Sequence, residues 1–142
     1  CSSDLLETYL YNLATAKKDG VNSTGNGYRG TGKVGTATTN IVLKPGKKSE
    51  EELFKLVNEG IYITDVEGLH AGMNAQSGNF SLQAKGYLIQ DGKRGAPVCL
   101  ITVAGNLFEI FKDIKEVASN VTRVDDSSSC SVYIKKLAVS GL

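Results

Sequence analysis

The sequence is short of several things, and each shortage narrows its chemistry. Among 142 residues there are no tryptophan, one methionine, two prolines and a single histidine, His70. One imidazole cannot build a multi-histidine zinc centre, and an H-E-x-x-H helix is excluded with it. The three cysteines, Cys1, Cys99 and Cys130, are odd in number and widely spaced. With no C-x-x-C, neither a zinc ribbon nor a thioredoxin-type redox pair is available. No apolar run approaches the ~20 residues of a spanning helix, so no membrane partner is expected. A surplus of one charge is missing too, since 16 Lys+Arg stand against 15 Asp+Glu for a net charge of +1. Duplex-binding domains normally carry a basic surplus, so no direct nucleic-acid partner is expected.

What is present suits one globular domain. Hydrophobic residues make up 41% and charged residues 22%, a balance unlike a disordered tail. A chain of this length can bury roughly two-thirds of its unfolded surface. It opens on Cys1 with no basic and apolar leader behind it, and reads as a segment of a longer protein. Cys99, inside Pro97-Val98-Cys99-Leu100-Ile101, is expected to be a small buried hydrophobe. A reduced, cytoplasmic setting is the default. The N-x-[ST] tripeptides at Asn22, Asn79 and Asn120 carry little weight without a secretory signal.

The hydrophobic patterning reads as strands with two helices. Residues 4–18 fit either a helical face (Leu6, Tyr9, Leu10, Leu13, Ala14) or a strand from Thr8 to Leu13, stopped by Asp19-Gly20. A Gly-rich loop is expected over 20–35 and a strand from Thr36 to Leu43. Ser49 with Glu52 three residues on predicts a capping box, with Leu53, Phe54, Leu56 and Val57 buried and Gly60 as the stop. Strands are expected at Ile61–Val66, Phe80–Ile89 (with a bulge at Gly86) and Val98–Val103, the last largely buried, with a hairpin turn at Asp91-Gly92. An irregular loop is expected over Gly68–Gly78. The second helix starts near Asn106 and carries Leu107, Ile110, Phe111, Ile114 and Val117. A polar loop over Asp125–Ser131 leads to a last strand, Ser131–Val139, with Lys135-Lys136 as a charged pair on its edge. The fold class is α+β: an antiparallel β-rich sheet or barrel-like domain with two packed helices, residues 1–142 forming one domain.

Three local patterns resemble chemistry and fail on context. Gly25-Asn26-Gly27-Tyr28-Arg29-Gly30 matches G-x-G-x-x-G, but a dinucleotide site needs a helix next, and a Thr-rich stretch follows. Gly27 to Lys33 approaches a P-loop, but Val34 stands where a magnesium-binding Ser/Thr belongs. Ser77 lacks the Gly-x-Ser-x-Gly of a nucleophile elbow. His70, between flexible glycines, has no Cys, Asp or Glu at ligand spacing, and no acid, base and nucleophile assemble on sequence grounds.

The segment Gly68-Leu69-His70-Ala71-Gly72-Met73-Asn74-Ala75-Gln76-Ser77-Gly78-Asn79-Phe80, running on to Gly86-Tyr87-Leu88-Ile89, resembles the C-terminal domain of the TldD/PmbA family, whose members are also called modulators of DNA gyrase. Ser23-Thr24-Gly25-Asn26, Val42-Leu43-Lys44-Pro45-Gly46 with the Ser49 helix, Thr102-Val103-Ala104-Gly105-Asn106 and Leu137-Ala138-Val139-Ser140-Gly141 extend the resemblance over nearly the whole chain. The wording Gly-Leu-His-Ala-Gly resembles the PmbA/TldE type, and the Cys-Gly-Lys context of the TldD-type zinc ligand is missing around Cys130. Asn79 departs from the family's usual Asp, a neutral group in place of a charged one.

The resemblance implies a cytoplasmic dimer in which a TldD-type subunit carries zinc on an H-E-x-x-x-H helix. The PmbA/TldE-type subunit lacks those ligands, and the pair acts as a metalloprotease on unfolded peptides. This chain is then a non-catalytic C-terminal domain, shaping the dimer and the peptide cavity. Its partner is a TldD-type subunit, or a second copy in a homodimer. No catalytic residue, metal ligand or cofactor is expected in this domain, zinc being expected in the TldD-type partner. His70, Asn74, Ser77, Gly78, Asn79 and Phe80 are expected to line the cavity. Two alternatives stay open: an active metallopeptidase with ligands in an N-terminal region outside this sequence, or a protein-binding module acting on DNA gyrase.

Overall fold

The computed structural model describes residues 8–141; Cys1 and Leu6 lie outside the described residues. They divide into two compact units, one up to Val42 with Arg123–Ser128, the other over Leu43–Thr122 with Ser129 onward. The architecture is mixed α+β with mostly antiparallel sheets and, among the described residues, four helices, two more than the periodicity predicts. The strands form four separate sheets rather than a closed barrel among the described residues. No described helix is long and apolar enough to cross a membrane.

In the first unit, α1 (Leu13–Asp19) is capped by Asn12, whose side chain accepts from the Thr15 N–H while Thr15 answers the Asn12 N–H. Asn12 is itself buried, because its amide also donates to Gly35 O at 3.2 Å and Thr36 Oγ1 at 3.1 Å. Helix wins over strand in residues 13–19, but its buried position is Ala16, while Leu13, Leu10 and Tyr9 are exposed. The expected Gly-rich loop is instead a ribbon of β1 (Gly27–Arg29) against β2 (Val34–Thr36). Asn26 organises it, its N–H donating to Tyr11 O and its amide to Ala37 O. The expected strand from Thr36 to Leu43 shrinks to β3 (Ile41–Val42), exposed and pairing in parallel with β9 (Ser127–Ser129). With no buried face to fill, β-branched composition alone does not hold a strand. The expected polar loop 125–131 holds β9 as well. A tight turn at Asp125 (φ +49°) joins it to β8 (Thr122–Val124), since Asp tolerates the left-handed region.

The second unit carries the main sheet. α2 (Glu50–Val57) has the predicted capping box from Ser49 and Glu52, and buries Leu53 and Phe54. It ends on Asn58 rather than Gly60, and Leu56 faces solvent. β4 (Gly60–Glu67), β5 (Asn79–Gln90) and β6 (Lys93–Asn106) form an antiparallel meander, and the short β11 (Ala138–Ser140) extends it in the order β11-β6-β5-β4. The Asp91-Gly92 turn joins β5 to β6 as expected, with φ +49° and +69° matching a type I′ hairpin. One face carries the core of Leu82, Ala84, Ile101 and Val103, with Ile61, Ile63, Val66, Phe80, Val98, Leu137 and Val139 packed on it. The other face presents Ser81, Gln83 and Lys85, as the alternation of β5 requires.

Two single-residue register shifts break the β5–β6 ladder, one between Ala84 and Gly86 and one between Tyr87 and Ile89. They correct the expectation for Cys99. At the first shift Leu100 takes φ +57°, the alternation lapses, and Cys99 and Leu100 both face solvent. The expected second helix is also shorter. α4 (Leu107–Asp113) stops where β7 (Ile114–Val117) pairs with β10 (Val132–Ile134). Ile114 and Val117 fit a helical stripe equally well, and strand pairing decides between the two. The expected last strand is therefore two, β10 and β11, and Lys135-Lys136 lie in the connection between them.

Candidate functional site

The segment between β4 and β5 builds the most organised surface of the second unit. Gly68, at φ +84°, opens the four-residue helix α3 (Leu69–Gly72). Its carbonyl accepts from the N–H groups of Ala71 at 3.0 Å and Gly72 at 2.7 Å. Met73 then bridges antiparallel to Phe80, so residues 74–79 close as a tight loop.

Asn74 arranges that loop from within. Its N–H donates to Asn79 O at 2.9 Å, and its carbonyl accepts from Gly78 N at 2.8 Å. Its Oδ1 accepts from Gln76 N and Ser77 N, both at 3.0 Å, and the Ser77 hydroxyl accepts from Asn79 N at 3.3 Å. These are the local side chain to backbone bonds that let Asn and Ser replace a backbone turn.

Asn106 fastens the loop from outside. It ends β6 opposite Asn79 and caps α4, its Oδ1 accepting from Phe108 N at 3.0 Å. Its Nδ2 donates to Ser77 O at 2.8 Å and Asn79 Oδ1 at 2.7 Å, and Leu107 N donates to Gly78 O at 2.8 Å. Gly78 is buried beneath Phe108 at φ +75°, where a Cβ would stand 2.7 Å from two ring carbons. Only glycine meets both conditions.

Two adjoining open depressions lie beside α3, one of them against this loop. One, of ≈ 450 Å³, is lined by residues 71–74 and 79–81. The other, of ≈ 470 Å³, shares Ala71, Gly72 and Ser81 and reaches Glu67 and Gln83. Beside it Lys85 Nζ meets Asp65 at 2.9 Å and Glu67 at 3.6 Å. The Lys85 hydrogen bond and charge hold the Asp65 carboxyl below its ordinary value, and Asp65 in turn raises Lys85. Lys85 thus offsets part of the acidic rim, and the depressions are walled by Glu67 with neutral polar, small and apolar side chains, Met73 and Phe80 among the last.

Of the expected cavity residues, Asn74, Asn79 and Phe80 line a depression. Ser77 and Gly78 stand behind it, holding the loop, and His70 is exposed on α3 outside the lining. Sequence reasoning missed Asn106, Ser81 and the wall from Ala71 to Met73. Ser81 could have been found, because it shares the strand parity of Asn79.

A second polar cluster ties α2 to the sheet and the β7–β10 ribbon. Glu50 Oε2 accepts from Ser131 Oγ at 2.7 Å, Tyr62 Oη at 2.9 Å and Asn120 Nδ2 at 3.2 Å. Burial, then the Glu50 hydrogen bond, push the Tyr62 phenol above its ordinary value. Each of these groups is satisfied internally, which marks the cluster as structural.

A family model for the PmbA/TldA metallopeptidase C-terminal domain matches residues 5–141. The chain belongs to this family. A metalloprotease PmbA homolog of Buchnera aphidicola (from Acyrthosiphon pisum) is 33% identical over 137 residues, covering 96% of the chain and 28% of that relative. A metalloprotease TldD homolog of the same organism is 28% identical over 129 residues, or 89% of the chain and 26% of the relative. The crystal structure of a candidate modulator of a DNA gyrase from Thermotoga maritima superposes with a TM-score of 0.89 at 43% identity, over 96% of this chain and 31% of that one. TldE from Thermococcus kodakarensis gives 0.82 at 25% identity, over 94% and 31%. The chain therefore spans under a third of the length of these relatives.

The metallopeptidase name implies a metal, and the donor set among the described residues does not fit one. Among the described residues, no three His, Cys, Asp or Glu side chains converge to hold a metal. Cys130 is buried with its Sγ 3.6 Å from Leu43 O, and Cys99 stands exposed on β6. A tetrahedral site needs three or four such donors in one place.

Proposed function

We propose that residues 1–142 form the non-catalytic C-terminal domain of a PmbA/TldE-type subunit. That subunit pairs with a TldD-type subunit in a cytoplasmic zinc metallopeptidase that acts on unfolded peptides. This domain shapes the dimer, and its surface around His70, Asn74, Ser77, Gly78, Asn79 and Phe80 forms part of the peptide cavity. The carrying observation is the 74–79 loop. It is pinned from both sides by Asn74 and Asn106, and it walls one depression without bringing a nucleophile or metal-ligating set together. A wall of this kind positions a chain, while the polarising group sits elsewhere. The similarity to chains named PmbA and TldE favours that subunit type, and the TldD homologues supply the kind of partner.

Elemental analysis of the purified full-length subunit tests the assignment. The expected result is far less than one zinc per chain, with one zinc per heterodimer once the TldD-type partner is added. One tightly held zinc per chain in the subunit alone would place ligands in this polypeptide and overturn the reading.

A further inference from the structure

Asn26-Gly27 is the only Asn-Gly step in the sequence, and it stands in the first unit at the entry to β1. Such a step carries its own nucleophile. The Gly27 backbone nitrogen, once it has lost its proton to solvent, can attack Asn26 Cγ, and glycine has no side chain to obstruct the approach. The new C–N bond closes a succinimide ring, and Nδ2 takes up a proton and leaves as ammonia. Water then opens the ring at either carbonyl, giving aspartate or isoaspartate. Water is the only co-reactant.

The fold engages every polar group of Asn26. Its N–H donates to Tyr11 O at 3.2 Å, and its carbonyl accepts from Ala37 N at 3.0 Å. Ala37 O can only accept, so Nδ2 faces it, at 3.2 Å. Oδ1 takes the Thr24 hydroxyl at 2.6 Å, while Thr24 Oγ1 accepts from Tyr11 N at 2.7 Å. Tied at both ends, the amide cannot swing Cγ toward Gly27 N. Gly27 is itself held opposite Thr36 in the β1–β2 ribbon. In paired extended backbone the following nitrogen points away from the side chain, so ring closure needs rotation about the Asn26 Cα–C bond. The Ala37 and Thr36 pairings on either side of that bond oppose it.

Little else keeps this ribbon shut. Among the described residues of the first unit, only Asn12 and Ala16 are buried. Regions with so little apolar burial open at the low end of a protein's stability range. Each opening exposes the Asn-Gly step, and the product cannot restore the clamp. An aspartate at position 26 sets a carboxylate oxygen against Ala37 O, and an isoaspartate adds a carbon to the main chain. We propose that Asn26-Gly27 is a deamidation site that the paired ribbon silences, that local opening of the first unit triggers, and that then holds the unit open.

The full-length subunit is incubated at mildly alkaline pH, native or in urea. Peptide mapping by mass spectrometry reads the one-dalton gain at position 26 and separates isoaspartate from aspartate. The wild type is expected to deamidate there at least tenfold more slowly when native, a comparison that needs no variant. Thr24→Val frees Oδ1 and is expected to raise the native rate at least threefold at an unchanged rate in urea. Gly27→Ala is expected to slow the reaction in urea at least tenfold. Its Cβ would meet Asn12 Cβ at an ordinary 3.5 Å, so the fold accepts it. Asn26→Asp carries the product's charge, and its amides over 27–36 are expected to exchange hydrogen at least tenfold faster than in the wild type. Native and urea rates within twofold of each other overturn the silencing. A native rate unmoved by Thr24→Val overturns the role of the clamp, and exchange within twofold in Asn26→Asp overturns the lasting opening.

Discussion

Replacing Gly78 separates two physical costs that meet at one residue. At φ +75° any side chain pays for the left-handed region, about 1–2 kcal/mol. A Cβ there would also stand 2.7 Å from Cδ2 and Cε2 of Phe108, and overpacking of this kind costs about 1–3 kcal/mol. Phe108 is 52% exposed, so its ring can swing outward and the steric part falls toward the lower bound. Gly78→Ala is therefore expected to lose about 2–4 kcal/mol, and Gly78→Val more. Gly68 supplies the control within the same unit: at φ +84° with nothing within 4 Å of its Cβ, Gly68→Ala carries only the backbone cost of about 1–2 kcal/mol. Ser77→Ala removes one 3.3 Å bond in an exposed loop and should cost about 0.5 kcal/mol. Urea unfolding followed by circular dichroism reads all four variants, with the slope checked for constancy. Equality of Gly78→Ala and Gly68→Ala would remove the steric argument. Equality of Gly78→Val and Ser77→Ala would remove the reasoning altogether.

The raised Tyr62 phenol makes a pH prediction. Because the folded value lies above the ordinary 10.0, its contribution is fully present below pH 10 and is lost as pH rises through the folded value. Urea midpoints should fall above pH 10 in the wild type and fall less in Tyr62→Phe; identical slopes would mean that Tyr62 does not carry the effect. The cysteines give a second check. Alkylation of the native protein, mapped by mass spectrometry, should label exposed Cys99 within minutes and buried Cys130 only on unfolding. Prompt labelling of Cys130 would contradict its packing against Leu43.

The parts that were legible in the sequence are those fixed by short-range chemistry. Ser49 and Glu52 sit at capping-box spacing and form the box, and Asp91-Gly92 turns the chain where a type I′ pair should. The strict alternation from Phe80 to Lys85 gave the faces of β5 correctly. What stayed hidden depends on partners distant in sequence. Ile114 and Val117 join a strand because Val132 and Ile134 lie alongside. The same limit hid Asn106 from the candidate site. Counted from the Gln90–Lys93 pair, an unbroken ladder would set Asn79 opposite Ala104, and two single-residue shifts move it opposite Asn106. A bulge was expected at Gly86, but its effect on register, and with it the exposure of Cys99, needed the paired strand. The loop itself was legible as a cluster of Asn, Ser and Gly, although its division into the lining residues Asn74, Asn79 and Phe80 and the supports behind them, exposed Ser77 and buried Gly78, was not.

The central claim is that this domain contributes a surface and no chemistry. A fluorogenic unfolded-peptide assay on four samples tests it: this domain, the full-length subunit, that subunit with its TldD-type partner, and the pair in which the partner lacks the glutamate of its H-E-x-x-x-H helix. The account predicts metal-dependent turnover only in the third sample, with His70→Ala in this chain retaining most of it. Turnover by the full-length subunit alone would contradict the non-catalytic assignment, and turnover by this domain alone would contradict the reading of its side chains.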